Sequence, residues 1–87
     1  MVNKFLLKEF GARIRYLRTQ DNLSQEQLSF KTGFHRTYIG MIERGERNIS
    51  LTNMAIFAKA FNLTVDGLLK FDNSKELFEK YKLKTED

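Results

Sequence analysis

Leu7, Phe10, Ile14 and Leu17 recur at three- and four-residue steps and line one face of a helix predicted from about Lys4 to Thr19. Arg13, Arg15 and Arg18 project elsewhere on it. Asp21-Asn22 breaks the pattern, and Ser24-Gln25-Glu26-Gln27 has capping-box spacing, so a second helix is predicted from Gln25 to about Thr32 with Leu28 inward. Gly33 follows its end, where a left-handed backbone is least strained without a Cβ. A third helix is predicted from about Arg36 to Arg44, with Ile39 and Ile42 inward and Gly45 closing it. Ser50 opens a fourth through Phe61, burying Leu51, Met54, Phe57, Ala58 and Phe61, and Thr64 opens a fifth through Leu69. Asn73 and Glu76 have the spacing to cap a sixth, whose apolar stripe of Leu77, Phe78 and Tyr81 is weak. Alternating strand patterns are absent, and the expected fold is all-α with five to six helices.

Composition narrows the classes. A chain of 87 residues supports one hydrophobic core. With no cysteine, disulfides, thiolate zinc sites and cysteine nucleophiles are excluded. The one histidine, His35, leaves little material for a metal site or a catalytic triad, so no enzyme, metal or cofactor is expected. The start has no secretory h-region and no apolar run approaches a membrane span, so a cytoplasmic protein away from membranes is expected.

The formal charge is +4, and its placement says more than its size. Residues 1–20 hold five basic and one acidic residue, whereas residues 21–50 hold four of each and residues 51–87 six of each. A basic end beside a balanced body suggests an anionic partner; a solvated basic helix face explains the count equally well.

Two short helices joined by a glycine turn, the second with polar outward positions, fit a helix-turn-helix, which lays its second helix in the DNA major groove. Ser29 supplies a small residue where the two helices cross, Gly33 the turn, and Leu28, Ile39 and Ile42 the apolar lock onto the scaffold.

Leu23-Ser24-Gln25-Glu26-Gln27-Leu28, Gly33, Tyr38-Ile39, Ile42-Glu43-Arg44-Gly45, Arg47-Asn48, Ser50-Leu51, Val65-Asp66 and Leu68-Leu69 together resemble the lambda-repressor-like (Cro-type, XRE) helix-turn-helix family over roughly residues 8–70. Within it, Arg36-Thr37-Tyr38-Ile39 followed by Ile42-Glu43-Arg44 looks most like the small controller proteins of restriction-modification systems. The resemblance implies a DNA-binding domain over residues 1–70, with the helix-turn-helix at about 25–44, and a C-terminal helical extension over 71–87.

Arg36 and Thr37 open the recognition helix. An arginine there presents two donors to guanine N7 and O6 or else meets a phosphate, while a threonine bonds a base or touches a thymine methyl. Met41, one turn on, offers apolar contact to thymine methyls, or burial. Gln25 matches the family's backbone clamp, or is an exposed polar residue at a helix start. Tyr38 is a phosphate donor or a packing residue. Arg44, Arg47 and Asn48 fall where relatives touch phosphates or the minor groove, or form a solvated basic loop. Arg18 and Glu43 match a partly buried ion pair of some relatives.

Three positions depart from the family. His35 stands where Ser, Thr or Asp usually caps the recognition helix, so the cap is weaker or His35 itself meets phosphate. Gly40 lies inside that helix at a cost of roughly 1 kcal/mol relative to alanine, either to allow close approach to DNA or to fit a crowded contact. Ile49 replaces a frequent proline.

One short helix reads too few base pairs for useful specificity, so a homodimer on an inverted-repeat operator is expected, with Phe61, Leu63, Val65, Leu69 and Phe71 as interface or core residues. The expected partners are double-stranded DNA and a second copy, without a small-molecule ligand. An antitoxin that neutralises a partner protein while also binding DNA is the alternative.

Overall fold

The computed structural model describes residues 3–71. Five helices occupy them: α1 (Lys4–Gln20), α2 (Gln25–Thr32), α3 (Arg36–Glu43), α4 (Leu51–Ala60) and α5 (Val65–Leu68). There is no strand among the described residues, so the expected all-α class holds. The expected sixth helix, with Asn73, Glu76, Leu77, Phe78 and Tyr81, lies outside the described residues, as does the extension beyond Phe71.

Each helix begins where a side chain satisfies an otherwise orphaned amide. Asn3, Ser24, Ser50 and Thr64 cap α1, α2, α4 and α5. At α2 the capping box closes in both directions, with the Gln27 amide donating to Ser24 Oγ at 3.0 Å and the Ser24 amide to Gln27 Oε1 at 2.8 Å. Gly33 ends α2 at φ 82°, a left-handed conformation that turns the chain toward α3. The third helix stops one residue earlier than expected, at Glu43, with Arg44 as its C-cap.

The core joins Phe10 and Ile14 of α1, Leu28 of α2, Ile39 and Ile42 of α3, Phe57, Ala58 and Ala60 of α4, Phe61, and Leu68 of α5. Most of the predicted inward positions fall here or, like Leu17 and Met54, pack against it. Two positions differ: Leu7 is half-buried outside this cluster, and Leu51 stays 68% exposed. Burial along the α4 stripe fades toward its start, from Phe57 through the half-buried Met54, so Leu51 at the first helical position runs past the end of the core.

Helices α1 and α3 meet at Gly11, where a Cβ would overlap the Ile42 carbonyl oxygen and lie 2.5 Å from that of Glu43. Only a residue without a side chain lets the two backbones touch. The contact fixes α3 on the longest helix, leaving the outward positions of α3 facing solvent.

Candidate nucleic-acid interface

The candidate interface comprises the start of α2, the length of α3 and the loop after it. Arg36 and Thr37 stand at the leading end of α3, both exposed. The nearest carboxylate to the Arg36 guanidinium is Glu26, at 3.6 Å, with both side chains largely in water. Such a pair holds the arginine weakly. Met41 is half-buried on the same helix.

His35 precedes them as the N-cap. Its Nδ1 accepts from the Thr37 amide at 3.0 Å, so the unusual cap is made, and the ring's other nitrogen is left over for a second contact.

Gln25 opens α2 and is tied to the far end of α3: its Nε2 donates to Glu43 Oε1 at 3.1 Å. The same carboxylate receives Arg18 of α1, through Nε at 2.6 Å and Nη2 at 3.0 Å, while Arg18 Nη1 donates to the Leu23 carbonyl at 2.7 Å. A buried carboxylate needs such company. The result is one network across α1, α2 and α3 that fixes the orientation of the Gln25 amide.

Tyr38 has an inward ring and a polar tip. The ring lies 5.0 Å from that of Phe34, which in turn lies 5.1 Å from the core ring of Phe57. Asn53 Nδ2 donates to the phenolic oxygen at 3.0 Å, which leaves the phenol's own proton to donate elsewhere. The Arg47 guanidinium sits over the ring, 5.4 Å from its centre, in cation–π contact. Arg47 and Asn48 are exposed in the loop, where Asn48 Oδ1 accepts from the Ile49 amide at 3.0 Å.

Arg44 is held by Glu46 through Nε at 3.0 Å and Nη2 at 3.1 Å. That hydrogen-bonded pairing lowers the pKa of the Glu46 carboxyl and raises that of the guanidinium.

Of the residues expected at a dimer contact, Phe61 belongs to the core at 8% exposure, Leu63, Val65 and Phe71 are half-buried, and Leu69 is 38% exposed. Phe61 therefore leaves the interface set, because a side chain used up in its own core has no surface to offer a second copy.

Arg13 was not singled out from the sequence. Its Nε and Nη2 donate to the carbonyls of Leu68 and Gly67 at 3.1 and 3.0 Å, closing the end of α5 against α1. Among the described residues no cluster of His, Cys, Asp or Glu is placed to hold a metal ion, and no helix is long and apolar enough to cross a membrane.

A capped short helix, a glycine turn and a second helix locked on the core with arginine and threonine outward and a half-buried methionine one turn on define a helix-turn-helix DNA-binding module. The chain belongs to the helix-turn-helix family, which it matches over residues 14–68, and it is a DNA-binding transcriptional regulator. Control protein C.SmaI of Serratia marcescens is 54% identical over 64 residues, 72% of this chain and 76% of the relative. Control protein C.BamHI of Bacillus amyloliquefaciens is 46% identical over 63 residues, 71% of this chain and 78% of the relative. The crystal structure of the restriction-modification controller protein C.AhdI from Aeromonas hydrophila aligns with a TM-score of 0.69 at 47% identity, covering 71% of this chain and 94% of that one.

Proposed function

We propose that this protein is the controller of a restriction-modification system, a cytoplasmic transcriptional regulator that binds an inverted-repeat operator as a homodimer. The likeness to the control protein C.SmaI, at 54% identity, carries the reading, and the exposed leading end of α3 agrees with it.

Arg36 reads a guanine, and Thr37 and Met41 make the remaining base contacts in the major groove. Gln25, with its amide oriented by Glu43, clamps the DNA backbone. His35 through its free ring nitrogen, Tyr38 through its phenol proton, and Arg44, Arg47 and Asn48 hold flanking phosphates. Leu63, Val65, Leu69 and Phe71 supply the surface on which two copies meet. One copy then reads one half-site, and half-site centres lie about 34 Å apart or a small multiple of it.

Footprinting on a site obtained by random-site selection with the purified protein, with sedimentation at the same protein concentration, tests this. Two protected half-sites with a dimer in solution are expected. A single unrepeated half-site bound by a monomer overturns the dimeric reading.

A further inference from the structure

Gly40 is unexplained by the fold. It lies inside α3, where glycine weakens a helix, and its φ is not in the left-handed region that would demand it. Nor does any backbone crowd it. A Cβ there would meet Arg44 Nη1 at 3.0 Å, Gln25 Oε1 at 3.6 Å and Arg44 Cζ at 3.8 Å, all parts of two long side chains. Gly11 differs, because backbone fills the space its side chain would need.

What the missing side chain does is seat a guanidinium. Glu46 engages Arg44 through Nε and Nη2, and Nη1 is the nitrogen that lies against Gly40. Arg44 is thereby laid along α3 beside the Gln25 amide, which Glu43 holds from the other side. Between them is an open cleft of about 320 Å³ lined by Gln25, Arg36, Thr37, Gly40 and Arg44. The two guanidiniums and the Thr37 hydroxyl supply donors, while Gln25 turns its acceptor Oε1 toward Gly40 and gives one Nε2 proton to Glu43. None of the five is acidic, and the cleft has room for a tetrahedral oxyanion.

We propose that Gly40 is a positioning residue for DNA binding: by carrying no side chain it lets the Arg44 guanidinium reach back over it next to Gln25, and the cleft so formed takes one phosphate group of the DNA backbone. The inference rests on α2 and α3 forming the DNA-binding face. It accounts for a glycine that the helix itself disfavours.

The test uses the full chain with two variants, Gly40→Ala and Gly40→Leu. Both remove the helix penalty, and the methyl of alanine meets only the end of a mobile side chain, so Gly40→Ala is expected to melt at a higher temperature than the wild type. Operator affinity moves the opposite way. Gly40→Ala is expected to lose about threefold and Gly40→Leu at least tenfold, with a shallower dependence of log affinity on log salt as one phosphate contact is lost. In an Arg44→Ala background, Gly40→Leu is expected to lose much less, because the group it displaces is gone.

Unchanged affinity and salt slope in a folded Gly40→Leu, while Gln25→Ala and Arg36→Ala weaken binding, overturns the role of Gly40 alone. If Gln25→Ala and Arg36→Ala are also silent, the DNA-binding face itself is wrong. Inorganic phosphate, followed through the Gln25 side-chain amide by NMR, separates the sources of the anion. A shift with DNA only assigns the cleft to a phosphodiester, a shift with both assigns it to phosphate in general, and a shift with neither overturns the proposal.

Discussion

Both oxygens of the Glu43 carboxylate accept from Arg18, at 2.6 and 3.0 Å, and so bolt the end of α3 to α1. The side chains are 4% and 12% exposed, respectively. Removing one partner leaves the other charge stranded, so Arg18→Ala is expected to cost about 3–5 kcal/mol, measured by urea denaturation. Replacing both by apolar residues, Arg18→Met with Glu43→Leu, is expected to recover most of that stability, because no buried charge remains. It is not expected to recover DNA affinity, since Gln25 then loses the carboxylate that orients it. A double variant as unstable as Arg18→Ala would show that the pair supplies net stability.

The cap on α3 gives a second test. His35→Ala removes the acceptor of the Thr37 amide and is expected to lower stability by roughly 0.5–2 kcal/mol. His35→Asn retains a cap and is expected to stay within a few tenths of a kcal/mol of the wild type. Thermal melts of the three proteins at neutral pH decide it, and equal melting temperatures would mean that the cap contributes nothing.

The helices were legible because local chemistry agreed with long-range packing. Ser24 with Gln27, and Ser50 ahead of an apolar stripe, announce helix starts that the tertiary structure keeps. Leu51 misled because periodicity gives the direction of a side chain and not the extent of the core it points toward; at 68% exposure it extends the stripe beyond its partners. Arg13 was invisible for a related reason. An arginine between apolar helix positions reads as a surface charge, and the carbonyls it caps, on Gly67 and Leu68, are more than fifty residues away. Gly11 is legible only in hindsight, since a helical glycine signals a close approach without naming its partner. The proposed DNA-facing set rests on register with the family pattern, but the links from Gln25 to Glu43 and from Asn53 to Tyr38 were not legible, because they join side chains whose spacing follows no helical period.

Arg44 and Glu46 supply a titration with a defined sign. The Glu46 carboxyl titrates below the ordinary carboxylate range because Arg44 donates to it. A carboxyl with a depressed folded-state pKa adds stability that is present above its unfolded pKa and is lost as pH falls through its folded value. A carbon-detected NMR titration of Glu46 is therefore expected to show a low midpoint in the wild type and an ordinary one in Arg44→Ala. The same variant is expected to weaken binding to all DNA sequences alike and to make the salt slope shallower by about 1. An unchanged Glu46 midpoint would dissolve the pair in solution, and an unchanged slope would remove Arg44 from the phosphate contacts.

Arg36 separates reading from clamping. Its side chain is 68% exposed at the leading end of α3 and bears only on Glu26, across 3.6 Å of solvated space, so nothing in the fold depends on it. An arginine so placed can donate twice to N7 and O6, a pair of acceptors that guanine alone presents in the major groove. Arg36→Ala is expected to cost roughly 1–3 kcal/mol on the native operator and much less on an operator with that guanine replaced, while the melting temperature hardly moves. Binding isotherms of both proteins on both operators form a double-mutant cycle in which the difference between the two losses measures base recognition. Equal losses on both operators would make Arg36 a backbone contact and shift sequence reading to Thr37 and Met41.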